Sequence, residues 1–272
     1  MLVQTLEGRF IGQSKIVSEL SFIAESILSG ENHNILLEAP SGYGKSTLAI
    51  AILRYVTPNF TSSYKYRINS SGINFQEGAR FHFIDEVHLL KRPEDIYEPM
   101  SSRNYSFILA TNNYDLLEEP LRNRCIRFLF TEYSKEELAH IIYKVFKRRN
   151  MSDVPSSWCL ALSDYSRGTP RIAEELATRV SIIVEYSDNY SFSSSTVHEI
   201  MFDILGTERG GITERDRQYI TTLKHLGGTA SLERLCSTAK IPKTVIEHEI
   251  EPFLIRKGKL LITSKGRSLA DE

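Results

Sequence analysis

Short apolar runs alternate with longer amphipathic stretches through the first half of the chain. Asn34-Ile35-Leu36-Leu37-Glu38 is a five-residue run that leads straight into a Gly-rich turn. Beyond the turn, residues 46–56 carry Leu48, Ala49, Ala51, Ile52 and Tyr55 at helical spacing, which predicts a helix with one apolar face. Arg80-Phe81-His82-Phe83-Ile84-Asp85 reads as a second strand, ending in acid; residues 106–110 read as a third and 126–130 as a fourth. Strands separated by helices predict a parallel sheet, because parallel neighbours need a crossover connection. In such sheets the functional residues collect at the carboxyl ends of the strands.

From Ser134 the pattern turns helical. Ser134-Lys135-Glu136-Glu137 has the form of a capping box. Residues 134–149, 156–165, 170–187 and 195–205 predict a four-helix lid, with a Ser-rich loop at 186–195 and a linker at 206–211, GTERGG. Helices near 214–226, 231–239 and 243–253 are followed by a strand at 259–263 and a turn at Ser264-Lys265-Gly266-Arg267. Three helices and then a hairpin is the order of a winged helix-turn-helix module. The expectation is therefore an α/β fold in three parts: a parallel-sheet domain at 1–133, a small all-α lid at 134–206 and a winged helix at 207–272.

Composition narrows the classes without choosing among them. Of the 272 residues 41% are hydrophobic and 25% charged, ordinary values for a globular protein. The formal net charge of -1 leaves no global basic signature, so a nucleic-acid surface would have to be local. No apolar run is long enough to span a membrane. The first ten residues, with Glu7 and Arg9 among them, do not read as a secretory signal. Cys125, Cys159 and Cys236 form no CxxC pair, so a reducing cytoplasmic setting is expected rather than a disulfide or zinc framework.

The chemistry is concentrated at the strand ends. Ala39-Pro40-Ser41-Gly42-Tyr43-Gly44-Lys45-Ser46, with Thr47 next in line, follows a strand and opens a helix, the context of a phosphate-binding P-loop. Glycines let successive amides turn onto an anion, and the helix start aims its free N–H groups at the same point. Lys45 would reach the terminal phosphates and the Ser46 hydroxyl would ligate magnesium. Ala39 stands where the pattern has its first glycine; that position needs only a small residue. Asp85 would hold Mg2+, mostly through water, and Glu86 would orient the attacking water. Asn112, after the next strand, has the polar side chain that could sense the γ-phosphate. Each motif has a plain counterpart: a helix-capping turn, an acidic turn, a polar strand end. The strand–loop–helix order and the spacing to Asp85 favour the nucleotide site.

Together these residues resemble the AAA+ ATPases, and among them the RuvB-type Holliday-junction branch-migration motors. Phe10-Ile11-Gly12-Gln13 is similar to that family's adenine-side segment, Phe83-Ile84-Asp85-Glu86-Val87-His88 to its Walker B run, and Pro120-Leu121-Arg122-Asn123-Arg124-Cys125 to its arginine-finger segment. Arg167-Gly168-Thr169-Pro170-Arg171-Ile172-Ala173 is nearly its sensor-2 string, and the tail from Gly227-Gly228 to Lys265-Gly266-Arg267 follows it too. The resemblance implies an ATP-hydrolysing ring, a hexamer, acting on duplex or branched DNA. It implies Arg124 as a finger entering the neighbouring subunit's site, with Arg122 as the fallback, and Arg171 as the lid's nucleotide sensor. In a winged-helix module Lys257, Lys259, Lys265 and Arg267 are placed for DNA phosphates, where the plain counterpart is a solvated surface or a protein-interaction module; the resemblance at Lys265-Gly266-Arg267 favours DNA.

The chain departs from the family in one stretch. Between Glu86 and Thr111 there is no room for the long hairpin that docks the junction-binding partner RuvA, and 69–80 is also abbreviated. Asn123-Arg124-Cys125 is similar to the clamp-loader finger as well. A clamp-loader-like or ATP-gated assembly switch, hydrolysing ATP without translocation, therefore stands as the alternative. A bare nucleotide-binding scaffold, prompted by Ala39, is a third reading.

Overall fold

The computed structural model describes residues 10–57, 63–66, 79–102, 104–187 and 192–270, with backbone alone at 63–66 and 194. The expectations that fall on the first nine residues, on 69–78, on Arg103 and on 188–191 lie outside the described residues. The chain divides into two compact units, Met1–Ile141 with Gly168–Glu174, and Ile142–Arg167 with Glu175–Glu272. The residues expected to form a separate lid are thus shared between the units. The reason for one part of that split is local: Thr169 and Arg171 pack on the phosphate loop at Gly42.

The first unit is built on a five-stranded sheet in the order β2-β3-β4-β1-β5, with β1 Asn34–Glu38, β2 Ser63–Tyr66, β3 Phe81–Ile84, β4 Ser106–Thr111 and β5 Ile126–Leu129. Every pairing is parallel, as the alternating pattern predicts. Ile35, Leu36 and Leu37 are fully covered because β1 lies between β4 and β5. Burial of such side chains contributes roughly 1.5–3 kcal/mol each. Several elements of this unit are not announced by the sequence, a long helix and an edge strand among them. The helix Ser14–Leu28 buries Val17, Leu20, Ala24 and Ile27 at helical spacing, a signal that was available. The strand Ser63–Tyr66 has no apolar run to announce it.

Between β3 and β4 the chain forms two 3-10 turns, Val87–Leu89 and Pro93–Ile96, and the short helix Tyr97–Ser101. No strand lies there among the described residues. Val87, Ile96 and Met100 bury into one cluster with Leu109 and Leu121, so the segment is a compact cap on the core.

In the second unit Trp158 packs between Phe146 and Phe192, with ring centroids 5.5 and 5.2 Å away. Ser194–Glu199 runs on into a π turn at Ile200–Ile204. The C-terminal module follows: the helix Glu214–His225, β6 Thr229–Ala230, the helix Leu232–Ala239, a helical run from Lys243 to Arg256, then β7 Leu260–Thr263 and β8 Gly266–Leu269. Its sheet order is β6-β8-β7, antiparallel throughout. The third strand, β6, is only two residues long and was not predicted. A Cβ on Gly266 (φ +117) would fall 2.3 Å from the Ala230 carbonyl oxygen, so only glycine lets β8 close on β6. Tyr219, Leu223, Leu235, Ile246, Phe253 and Leu260 form this module's own core.

Candidate nucleotide site

The phosphate loop leaves β1 at its carboxyl end and enters the helix Lys45–Val56. Gly42 and Gly44 take φ +83 and +92, the left-handed region that a tight amide-lined turn demands. Lys45 is buried, and its ammonium donates to the Ala39 and Pro40 carbonyls at 2.6 and 3.1 Å. Burial lowers its pKa; Glu86 and Asp85 act in the opposite direction, and Arg171 reinforces the lowering. The Ser46 hydroxyl donates to Asp85 Oδ2 at 2.7 Å. Two hard oxygen ligands from the loop helix and the end of β3 thus converge, which is the donor set that a small divalent cation such as magnesium takes. The predicted pair Ser46 and Asp85 is brought together by the fold.

Glu86 follows directly, at φ 52 and ψ 47. A non-glycine residue adopts that conformation at a cost, and such costs cluster where a side chain must be aimed. Its Oε2 is buried without a hydrogen-bond partner among the described residues and lies 3.5 Å from His88 Nδ1. The His88 ring also meets the Thr111 hydroxyl at 3.0 Å, and that hydroxyl accepts the Asn113 N–H, also at 3.0 Å. Asn112, the residue expected to sense the γ-phosphate, is exposed beyond β4. Thr111 is the buried polar group at that strand end. His88 belongs to the Walker B-like run, but its contact with Thr111 carries no motif.

Arg171 lies on the loop: its guanidinium donates to Ser41 Oγ at 3.1 Å and its backbone N–H to the Gly42 carbonyl at 3.2 Å. A Cβ on Gly42 would lie 2.9 Å from Arg171 Cβ, so the loop glycine also makes room for this contact. Phe10 lies beside Gly44, its ring edge 3.2 Å from where a Cβ would be; Ile11 is half-buried next to it. Gln13 pins that segment to the end of the sheet, donating to Thr131 O at 2.7 Å and accepting from Thr131 N at 2.9 Å. Tyr133, also unread in the sequence, donates its hydroxyl to the Tyr43 carbonyl at 2.9 Å, and burial pushes its pKa up. Tyr43 itself is buried edge-on against Tyr133, so it serves the loop through its backbone; Thr47 is exposed on the first helical turn.

Arg124 is elsewhere. Its carbonyl accepts from Asn34 Nδ2 at 3.1 Å, and Asn34 opens β1 at the amino end. The phosphate loop starts beyond the other end of that strand, about 13 Å away at the usual rise per residue. The Arg124 guanidinium is exposed, over the Tyr97 ring at 5.0 Å and donating to the Pro120 carbonyl at 2.6 Å. Arg122 stacks on Tyr114 at 5.2 Å. Neither arginine is placed on its own chain's loop.

In the C-terminal module Lys257, Lys259 and Lys265 are exposed, Lys265 at the turn between β7 and β8. Arg267 differs from its prediction as an open phosphate contact. It forks onto the buried Glu251 at 2.8 and 3.2 Å, and Glu251 also accepts the Tyr219 hydroxyl at 3.1 Å. Its guanidinium is committed to the module's interior because Glu251 would otherwise be a buried unpaired carboxylate.

No described helix is long and apolar enough to cross a membrane. Residues 209–272 match the family model described as the RuvB C-terminal winged helix domain. The chain is 30% identical over 293 residues to the Holliday junction branch migration complex subunit RuvB of Campylobacter fetus subsp. fetus, covering 96% of this chain and 84% of that protein. The subunit of the same description from Rhodopirellula baltica is 28% identical over 300 residues, covering 96% and 79%. Among solved structures, the RuvB Holliday junction branch migration motor of Thermotoga maritima superposes with a TM-score of 0.80 at 26% identity, over 96% of this chain and 93% of that one.

Proposed function

Because the chain belongs to the RuvB family of Holliday junction branch migration subunits, we propose that it is an ATPase that drives the migration of branched duplex DNA. The observation that carries this reading is the meeting of Lys45, Ser46, Asp85 and Glu86 at one loop, with Arg171 on the same loop. In it, Lys45 and the loop amides bind the phosphates. Ser46 and Asp85 would hold magnesium, which supplies charge neutralisation on the β- and γ-phosphates when bound. Glu86 orients the attacking water, and its left-handed backbone aims the carboxylate. Arg171 reports the nucleotide to the helix that begins at Pro170.

The finger belongs to a neighbour. Arg124 sits at the amino end of β1, so it serves a second subunit's γ-phosphate better than its own. A contact made head to tail in this way closes into a ring; we take the ring to be a homohexamer, acting in the cytoplasm. The division into a large ATPase domain (1–133), a lid (134–206) and a winged helix (207–272) describes the working parts of that motor. Lys257, Lys259 and Lys265 are the phosphate contacts on DNA, and Arg267 supports them from within.

The compact 87–105 segment favours a second reading, an ATP-gated switch or loader that does not translocate, because nothing there forms a partner-docking hairpin among the described residues. A synthetic four-way junction with this protein alone and ATP separates the two. Movement of the junction supports the motor. ATP hydrolysis on DNA with no movement supports the switch. No hydrolysis on DNA refutes both and leaves the scaffold.

A further inference from the structure

Arg167 opens the string that carries the nucleotide sensor, yet its own side chain is built into the winged helix. Its Nη2 donates to Asp216 Oδ1 at 3.1 Å and to the Glu249 carbonyl at 3.2 Å. The guanidinium lies 3.6 Å from the centre of the Phe253 ring. In return Arg256 Nη2 reaches the Arg167 carbonyl at 3.5 Å. One lid residue thus engages the first winged-helix helix, the π turn Ile246–Ile250 and the helix Glu251–Arg256.

The contact is buried and specific. The Asp216 side chain is 0% exposed and that of Arg167 is 12% exposed. Asp216 is also the capping-box residue of the helix Glu214–His225: its Oδ2 accepts from Thr213 N and Thr213 Oγ1 at 2.8 and 2.6 Å. Arg167 therefore pairs with the other oxygen of the carboxylate that starts that helix. The linker closes over it: a Cβ on Gly211 would lie 2.7 Å from Arg167 Cγ and 3.0 Å from the Tyr165 carbonyl oxygen. Arg167 itself has φ 56, a conformation that non-glycine residues hold only when the surroundings insist.

Along the chain, only three residues lie between Arg167 and Arg171, which sits on Ser41 and Gly42 of the phosphate loop. The two compact units also part at this point, between Arg167 and Gly168. We propose that Arg167 is a positioning residue that couples the nucleotide-sensing turn to the winged helix, so that a change at Arg171 is delivered to the DNA-binding end. This rests on the reading of the chain as a DNA-stimulated ATPase. A buried ion pair serving stability alone would have no reason to track nucleotide; a coupling strut must.

The test uses the full chain with Arg167→Ala, Arg167→Lys and the milder Asp216→Asn. ATP hydrolysis is measured with and without four-way junction DNA, and DNA affinity with and without a non-hydrolysable ATP analogue. In Arg167→Ala the basal kcat, the KM for ATP and the nucleotide-free DNA affinity stay within about twofold, while the stimulation by DNA falls about 10-fold or more. The effect of the analogue on DNA affinity collapses by the same factor, since coupling between two binding sites is reciprocal. Arg167→Lys does not restore it, because an ammonium has neither the fork for Asp216 nor the plane for Phe253. Asp216→Asn gives a smaller loss of the same kind.

Stimulation and analogue effect both unchanged in Arg167→Ala would overturn the proposal. So would an equal loss in nucleotide-free DNA binding, which marks a purely structural role. If the parent chain itself shows no stimulation by DNA, the motor reading fails first, visibly apart from any variant, and the coupling role falls with it.

Discussion

The nucleotide end and the winged-helix end hold similar charged residues under different rules. At the phosphate loop, Lys45, Ser46 and Asp85 stand where their motifs require, because a strand end, two left-handed glycines and a helix start leave few other arrangements. At the winged helix, basic residues in and near a turn are expected on DNA from their module and their charge, with no backbone constraint on each side chain, and one of them is internal: Arg267 is paired with Glu251 while Lys265 is exposed. Backbone geometry makes a motif informative. A charge without such a constraint has two uses, and only its neighbours decide between them.

The largest effects should fall at the nucleotide end. Glu86→Gln is expected to bind ATP and lose about 10²- to 10⁴-fold in turnover, the range for removing a group that positions or activates the attacking water. Steady-state hydrolysis beside a nucleotide-binding titration checks this, and unchanged turnover would remove Glu86 from the site.

At the other end Arg267→Ala should act on stability. Leaving Glu251 buried and unpaired costs about 3–5 kcal/mol. Denaturant unfolding of the full chain should show the loss, and a variant that melts like the parent but releases DNA would return Arg267 to the phosphate contacts.

A pH effect sharpens the comparison from the sheet side. His82 is fully buried in β3 and desolvation brings its pKa down to about 4 from 6.5. The unfolded chain takes up a proton at higher pH than the native one. The contribution is therefore complete above pH 6.5 and is lost as pH falls from 6.5 to about 4, on the order of 3 kcal/mol. Urea titrations across that window should show it, and His82→Phe should flatten the dependence; an equal slope in the variant would contradict the assignment.

The smallest effect belongs to Lys265→Ala. Melting should not change, and the slope of log affinity against log salt should fall by about 1. A change in melting with no change in slope would reverse the roles given to Lys265 and Arg267.

Legibility follows the same division. The strands β1, β3 and β4 are readable as short continuous apolar runs buried in the sheet, and the loop helix and C-terminal helices by their periodic apolar faces; β5 reads as an apolar run although only Phe128 of it is buried. The two-residue β6 is not readable, since its pairing depends on Gly266 yielding space rather than on any pattern in Thr229 and Ala230. Gln13 and His88 stand in recognisable strings, but what they touch is not legible there, and Tyr133 stands in none, because their roles come from partners distant in sequence, such as Thr131 for Gln13, Thr111 for His88 and Tyr43 for Tyr133. The buried use of Arg167 was hidden in the same way, inside a string that pointed only to nucleotide.

The central claim is that the site is completed by a neighbour's Arg124, and one mixing experiment tests it most directly. Arg124→Ala and Glu86→Gln proteins should each be nearly inactive alone, since a finger contributes about 10³-fold or more. Mixed in equal amounts, rings should regain about a quarter of parental ATPase activity, because a quarter of the head-to-tail interfaces pair an intact Glu86 with an intact finger. A mixture no more active than its components, or an Arg124→Ala protein active on its own, would contradict the shared site.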